Sequence, residues 1–232
     1  GVHVSHNGSY IAEDVHVEPR NVSGKMNVKD FSRLKLELKP ESNKVKTIKL
    51  LPYSVVTEEN IVEIKTDAEG RWIRDERDNV KIAVIERHHG TGNVGVGLLE
   101  GFGLKDGAIA TSVAHDSHNI IAAGDNDSDM EFAVNKLIEI GGGMVIVSGG
   151  AVLDLLSHEI AGLMTDRPGE EVAHKISDMD KAARNQLKIN DHADPFMTLC
   201  FMALPVIPAL KITDSGLFDV EKFKFVGICN AE

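Results

Sequence analysis

The chain has 232 residues, 42% of them hydrophobic and 26% charged, which sets it in the globular range and excludes a disordered or fibrous chain. A formal net charge of −11 excludes a nucleic-acid backbone as a natural partner. Two distant cysteines, Cys200 and Cys229, exclude a disulfide framework and a cysteine-based zinc site; they fit a reducing compartment, so a cytoplasmic location is expected.

The N-terminal residues Gly1 to His6 have neither the basic nor the apolar region of a signal peptide. The chain begins without Met in what reads as strand, so a piece of a longer polypeptide is expected. Asn7-Gly8 stands between alternating residues that include Val2, Val4, Ile11, Val15 and Val17, which predicts a hairpin, because both turn residues accept positive φ. Residues 18–30 are polar, with Pro19 and Gly24, and read as a linker. The sequence therefore divides into a β-rich segment with its linker at 1–30 and an α/β domain at 31–232.

Leu34, Leu36 and Leu38 alternate with charged residues and predict an exposed strand or arm. Val45 to Leu51, Ile61 to Lys65 and Val80 to Glu86 read as strands, with a turn at Asp67 to Gly70. Arg71 to Asp78 reads as a solvated loop. Residues 127–140 carry an apolar stripe (Met130, Ala133, Val134, Leu137, Ile138), a capping box at Ser128 and Glu131, and a stop at Gly141. Strands at 144–147 and 151–156 flank a Ser148-Gly149-Gly150 turn. A second helix is predicted from about Pro168 to Leu187, with Glu170 and Glu171 in its first turn. Pro205 and Pro208 argue against a regular helix in the apolar stretch Phe196 to Leu210, which is too short to span a bilayer. A turn at Thr213 to Gly216 and a last strand at Val220 to Val226 complete the chain. The fold class is α/β (α+β), with a mixed or mainly antiparallel sheet and helices packed on it.

Chemistry concentrates at residues 80–124. Two apolar runs, Val80 to Glu86 and Ala108 to Ala114, each end in polar clusters: Arg87-His88-His89, then His115-Asp116-Ser117-His118-Asn119. Strand ends of this kind are where α/β proteins place their chemistry. His115, Asp116 and His118 offer imidazole and carboxylate groups suited to acid–base or metal work, with His88 and His89 as supporting groups. The alternative is a hydrogen-bonded loop of structural value only. Gly90-Thr-Gly92-Asn-Val-Gly95 also fits G-x-G-x-x-G after a strand, with Asp116 some distance on, the pattern of a dinucleotide site opening a helix. Arg87, His88 and His89 interrupt the expected tight turn, and the following segment is glycine-rich, so nucleotide binding is the weaker reading. Asp125 to Asp129 imitates a calcium loop but has Met130 and Lys136 where Gly and Glu are required.

Ile85 to Asn93, Gly101 to Lys105, Ser112 to Ile121, Ile160 to Asp166, Asp194 to Leu199 and Ala203 to Pro208 closely resemble the C-terminal domain of bacterial and archaeal adenine deaminases. Residues 1–17 look like the strands that follow the barrel in amidohydrolase-superfamily enzymes. The resemblance implies hydrolytic deamination of adenine to hypoxanthine and ammonia, in purine salvage, with a divalent metal (Mn, Fe or Zn) held in a (β/α)₈ barrel. The chain has no H-x-H pair leading a barrel strand and no room for eight βα units. The metal ligands are therefore expected in an absent barrel, no catalytic set is complete here, and the fragment alone is expected to be inactive. His115, Asp116, Ser117, His118 and Asn119 are then expected to form an active-site lid. Adenine and the barrel of the same enzyme are the expected partners, a homo-oligomer is expected, and neither nucleic acid nor membrane is. The rival readings are a stand-alone nucleotide-binding domain and a structural or oligomerisation domain without catalysis.

Overall fold

A computed structural model of the protein describes residues 1–13, 22 and 24–229. Val15, Val17 and residues 18–21 and 23 of the expected hairpin and linker lie outside the described residues. The Asn7-Gly8 turn, with φ of 49° and 80°, joins β1 (Ser5–His6) to β2 (Ser9–Tyr10), as that dipeptide predicts. Within the expected linker, Met26 and Val28 pack against the main body.

The Leu34–Leu38 alternation does not form a strand. Arg33–Leu36 is a turn of 3₁₀ helix that buries Leu36 and leaves Leu34 80% exposed. Packing against the neighbouring helix overrides the local pattern. The strands then run β3 (Lys44–Leu50), β4 (Thr57–Glu63), β5 (Lys65–Thr66), β6 (Trp72–Ile73), β7 (Asn79–Ile85), β8 (Val94–Glu100), β9 (Ala108–Thr111) and β10 (Ile120–Gly124). Helix α1 (Asp127–Ile140) follows, then β11 (Gly143–Ser148), β12 (Ala151–Ser157), α2 (Gly169–Leu187), α3 (Pro195–Met202), β13 (Leu210–Thr213), β14 (Gly216–Asp219) and β15 (Lys224–Phe225).

Eight strands form one mixed sheet in the order β12-β11-β9-β10-β7-β8-β3-β4. Neighbours are antiparallel except β3 and β8, which run parallel. β7, β9 and β10 are buried at every residue because both faces are covered. On one face Ala83, Ala108, Ala110 and Ala122 let α1 settle close through Met130, Ala133, Val134 and Leu137. On the other, larger residues such as Ile82, Val84, Ile109 and Ile121 meet α2, α3 and the β13–β14 hairpin. No helix among the described residues is long and apolar enough to cross a membrane.

Three further expectations need correction. The cap of α1 is Asn126, whose side chain accepts from the Asp129 amide at 2.8 Å. Ser128 and Glu131 instead accept from the side chain and backbone of Arg33, so a tertiary contact has taken over the capping-box groups. The stretch from Phe196 begins inside α3, capped by Asp194 at the Phe196 and Met197 amides; the prolines exclude helix only beyond Met202. The glycine fingerprint opens strand β8, not a helix, which removes the geometry that holds a pyrophosphate. Gly95 serves packing there. A Cβ on it would lie 1.9 Å from the Thr213 carbonyl, so only glycine lets the β13–β14 hairpin cross β8.

The candidate functional site

Antiparallel pairing of β7 with β10 puts Ile85 opposite Ile120, so the end of β7 and the start of β10 meet at one corner of the sheet. The two histidine clusters, 25 or more residues apart in sequence, therefore adjoin. The Nε2 of His88 lies 2.8 Å from the Ser117 carbonyl. The rings of His115 and His118 are 6.0 Å apart, centre to centre, and His115 leans on Phe201 of α3 at 4.8 Å. His88, His89, Asp116 and Ser117 are exposed, His115 and His118 half-buried, and Asn119 buried.

Strand β9 ends at Thr111, three residues short of the expected Ala114. The lead into the loop is held by side chains instead. The Ser112 hydroxyl accepts from the Gly143 amide and donates to the Gly162 carbonyl. Cys200 of α3 donates its thiol to the Val113 carbonyl, and the His115 amide donates to the Cys200 carbonyl at 3.2 Å. Burial pushes the Cys200 thiol up to about 12, so it is a hydrogen-bond donor and not a nucleophile.

Beneath the histidines lie two charged residues to which the sequence reading gave no role. Glu86 is 4% exposed. Its carboxylate accepts from the amides of His88 (2.5 Å), His89 (2.7 Å) and Thr91 (3.0 Å) and from the Thr91 hydroxyl (3.1 Å). Burial opposes its ionisation, but the hydrogen bonds from Thr91, His89 and His88 outweigh it and bring the carboxyl down to about 2. Arg87 is also buried, and donates to the carbonyls of His118 and Ala161. Its amide donates to Asn119 Oδ1, and the Asn119 amide group donates in turn to Asp214 of the β13–β14 turn, which also takes Asn93. The sequence signal for Glu86 and Arg87 was present: charged residues directly continuing an apolar strand.

His118 carries the open valence of the site. Its Nδ1 is buried and has no hydrogen-bond partner among the described residues. Burial, then the nearby His115 and Arg87, lower its pKa, so the ring is neutral at neutral pH and offers one donor and one acceptor nitrogen. The donors at this corner do not fit a metal centre: among the described residues no group of three His, Cys, Asp or Glu side chains is placed to hold an ion.

A family model described as the adenine deaminase C-terminal domain matches residues 54–224, the stretch that builds this corner and most of the sheet. The chain belongs to that family. It is 47% identical over 227 residues to an adenine deaminase of Ligilactobacillus salivarius, covering 97% of this chain and 39% of the relative. It is 46% identical to adenine deaminase 2 of Desulfotalea psychrophila, covering 98% and 40%, and 44% identical to adenine deaminase 2 of Carboxydothermus hydrogenoformans, covering 97% and 39%. The chain thus spans about two fifths of the length of these relatives. Within the stretch matched by this adenine deaminase C-terminal domain, Ile85 to Asn93 and Ser112 to Ile121 stand at the corner where β7 ends and β10 begins.

Proposed function

We propose that this chain is the C-terminal part of an enzyme that hydrolyses adenine to hypoxanthine and ammonia, and that the His115–Asn119 loop closes over the purine. The observation that carries this reading is the buried, unpartnered Nδ1 of His118 among exposed polar groups, on a stem fixed to two-sided strands. In this reading residues 1–30 belong with the β strands that accompany the barrel, and 31–232 form the C-terminal domain. A divalent metal, if the barrel holds one, would supply Lewis-acid activation of water, with its ligands outside this chain. The enzyme is a cytoplasmic, homo-oligomeric member of the amidohydrolase superfamily that serves purine salvage.

The domain's own residues bind, orient and exclude water. With Nδ1 of neutral His118 buried, Nε2 is the nitrogen that faces the purine, and because no partner among the described residues fixes Nδ1 the tautomer is free to make Nε2 a donor to a ring nitrogen or an acceptor from the amino group of adenine. Asp116 and Ser117, exposed at the tip, complete a polar rim, and His88 braces it from β7 through the Ser117 carbonyl. Closing such a rim strengthens the polar contacts inside. The test is kinetic, on the full-length enzyme carrying His118→Ala and Asp116→Asn, each with unchanged melting temperature and metal content. The expected result is a loss of kcat/KM of about tenfold or more, at least about 1.4 kcal/mol of transition-state stabilisation. Wild-type kinetics in both stable variants would refute the lid.

A further inference from the structure

We infer that Arg87 is a positioning residue whose buried guanidinium ties the His115–Asn119 loop to the Ile160–Met164 turn, so that the two segments hold or loosen together. Arg87 is 5% exposed, and no carboxylate among the described residues comes within ion-pair distance of it. Burial alone lowers its pKa. A buried guanidinium without a counter-charge is a costly choice at a site that needs only packing. What it gains is a rigid fork of donors that can reach two backbones at once.

Both backbones are unusual. Nε donates to the His118 carbonyl at 2.5 Å and Nη2 to the Ala161 carbonyl at 3.1 Å. His118 and Ala161 each sit at positive φ, 51° and 57°, a region that side chains rarely adopt. Each carbonyl therefore points where an ordinary loop would not send it, and one guanidinium meets both. The fit is tight on the turn side, since a Cβ on Gly162 would lie 3.1 Å from Nη1. The backbone of His118 in turn sets where its free Nδ1 stands. The turn ends in Met164, 57% exposed, so the far end of this tie lies at the surface.

The functional consequence rests on the lid reading; the mechanical coupling does not. The test uses the intact enzyme with Arg87→Met and Arg87→Lys. Lysine keeps the charge but has one ammonium and no fork, so it cannot serve both carbonyls in the same way, and it remains informative if the Met variant fails to fold. Hydrogen exchange followed by mass spectrometry should show peptides covering 113–119 and 159–165 exchanging faster by about tenfold and in step, while β7 and β10 stay protected. The value of kcat/KM should fall as it does in His118→Ala, with little further loss in Arg87→Lys combined with His118→Ala. Unchanged protection of both segments in the Lys variant, or loosening of only one, would overturn the coupling. Loosening of both with wild-type kinetics would uphold the coupling and refute the lid.

Discussion

Glu86→Gln isolates what the charge at the base of the corner contributes. The substitution keeps the side-chain shape but turns one oxygen into a donor, and every partner of Glu86 is itself a donor: three amides and the Thr91 hydroxyl. The carboxyl falls from an ordinary 4.5 to about 2. A folded-state value below the unfolded one means stability that is present above the unfolded pKa and lost as the pH falls through the folded one. That fall corresponds to about 3 kcal/mol at pH 7. Linkage keeps about 3 kcal/mol of it at pH 5 and leaves about 1.4 kcal/mol at pH 3. Urea unfolding of wild type and Glu86→Gln at several pH values between 7 and 3 measures the difference directly. Other depressed carboxyls, such as Asp75 and Asp219, titrate in both proteins and cancel. The expected outcome is a gap that narrows by more than half on going to pH 3. A gap that stays constant over that range would mean the four hydrogen bonds act through shape and not through charge.

Ser112→Ala removes a fully buried hydroxyl that serves the Gly143 amide and the Gly162 carbonyl, and should cost about 1–3 kcal/mol in urea unfolding because both groups lose their partner; a cost below about 0.5 kcal/mol would show that they find others. Lys211 is fully buried with the Val55 carbonyl at 2.7 Å as its hydrogen-bond partner, and burial lowers it to about 8. The unfolded chain binds more protons at this site between pH 8 and 10.5, so the stability of wild type relative to Lys211→Met should rise over that window, by up to about 3 kcal/mol, while the opposing titration of Cys200 is common to both and cancels; at pH 7 Lys211→Met should be at least as stable as wild type. A Met variant less stable at pH 7, with a difference that does not change between pH 8 and 10.5, would count against this account of Lys211.

Most of the sheet was legible because its strands are short apolar runs bounded by turn residues, and the β11–β12 hairpin follows directly from Ser148-Gly149-Gly150. The errors share a cause: local chemistry that distant residues redirected. Ser128 and Glu131 have the spacing of a capping box, but Arg33, nearly a hundred residues earlier, claims them. Gly90 to Gly95 has the spacing of a nucleotide loop, but the glycine at 95 is required by a hairpin more than a hundred residues later. The histidine clusters were legible as chemistry, whereas their adjacency depends on β7 pairing with β10. For the same reason Arg87 and Asp214 could not be assigned: the His118 and Ala161 carbonyls that Arg87 meets, and the Asn93 and Asn119 side chains that Asp214 meets, come near only in the folded chain, whereas the partners of Glu86 at 88, 89 and 91 are local.

The polar groups at this corner divide into two kinds, and the division bears on why a histidine stands at 118. Glu86, Arg87, Asn119 and Asp214 spend their hydrogen bonds on backbone, on one another, or on the side chains of Thr91 and Asn93, which fixes the loop. His118 contributes its backbone to that network, through the Arg87 contact and through its amide on the Ala114 carbonyl, but its ring nitrogen Nδ1 takes no part. Leaving such a nitrogen buried without a partner costs about 1–3 kcal/mol. A loop selected only for stability would lose nothing by exchanging that imidazole for a side chain without a polar atom to satisfy, since the backbone contacts do not depend on it. The stability change on His118→Ala is therefore as informative as its kinetics. A neutral or stabilising effect together with lost turnover marks a group kept for the reaction at the expense of the fold. A destabilised His118→Ala whose kinetics match wild type would mean that the imidazole is packing, and that the corner does no more than hold the domain together.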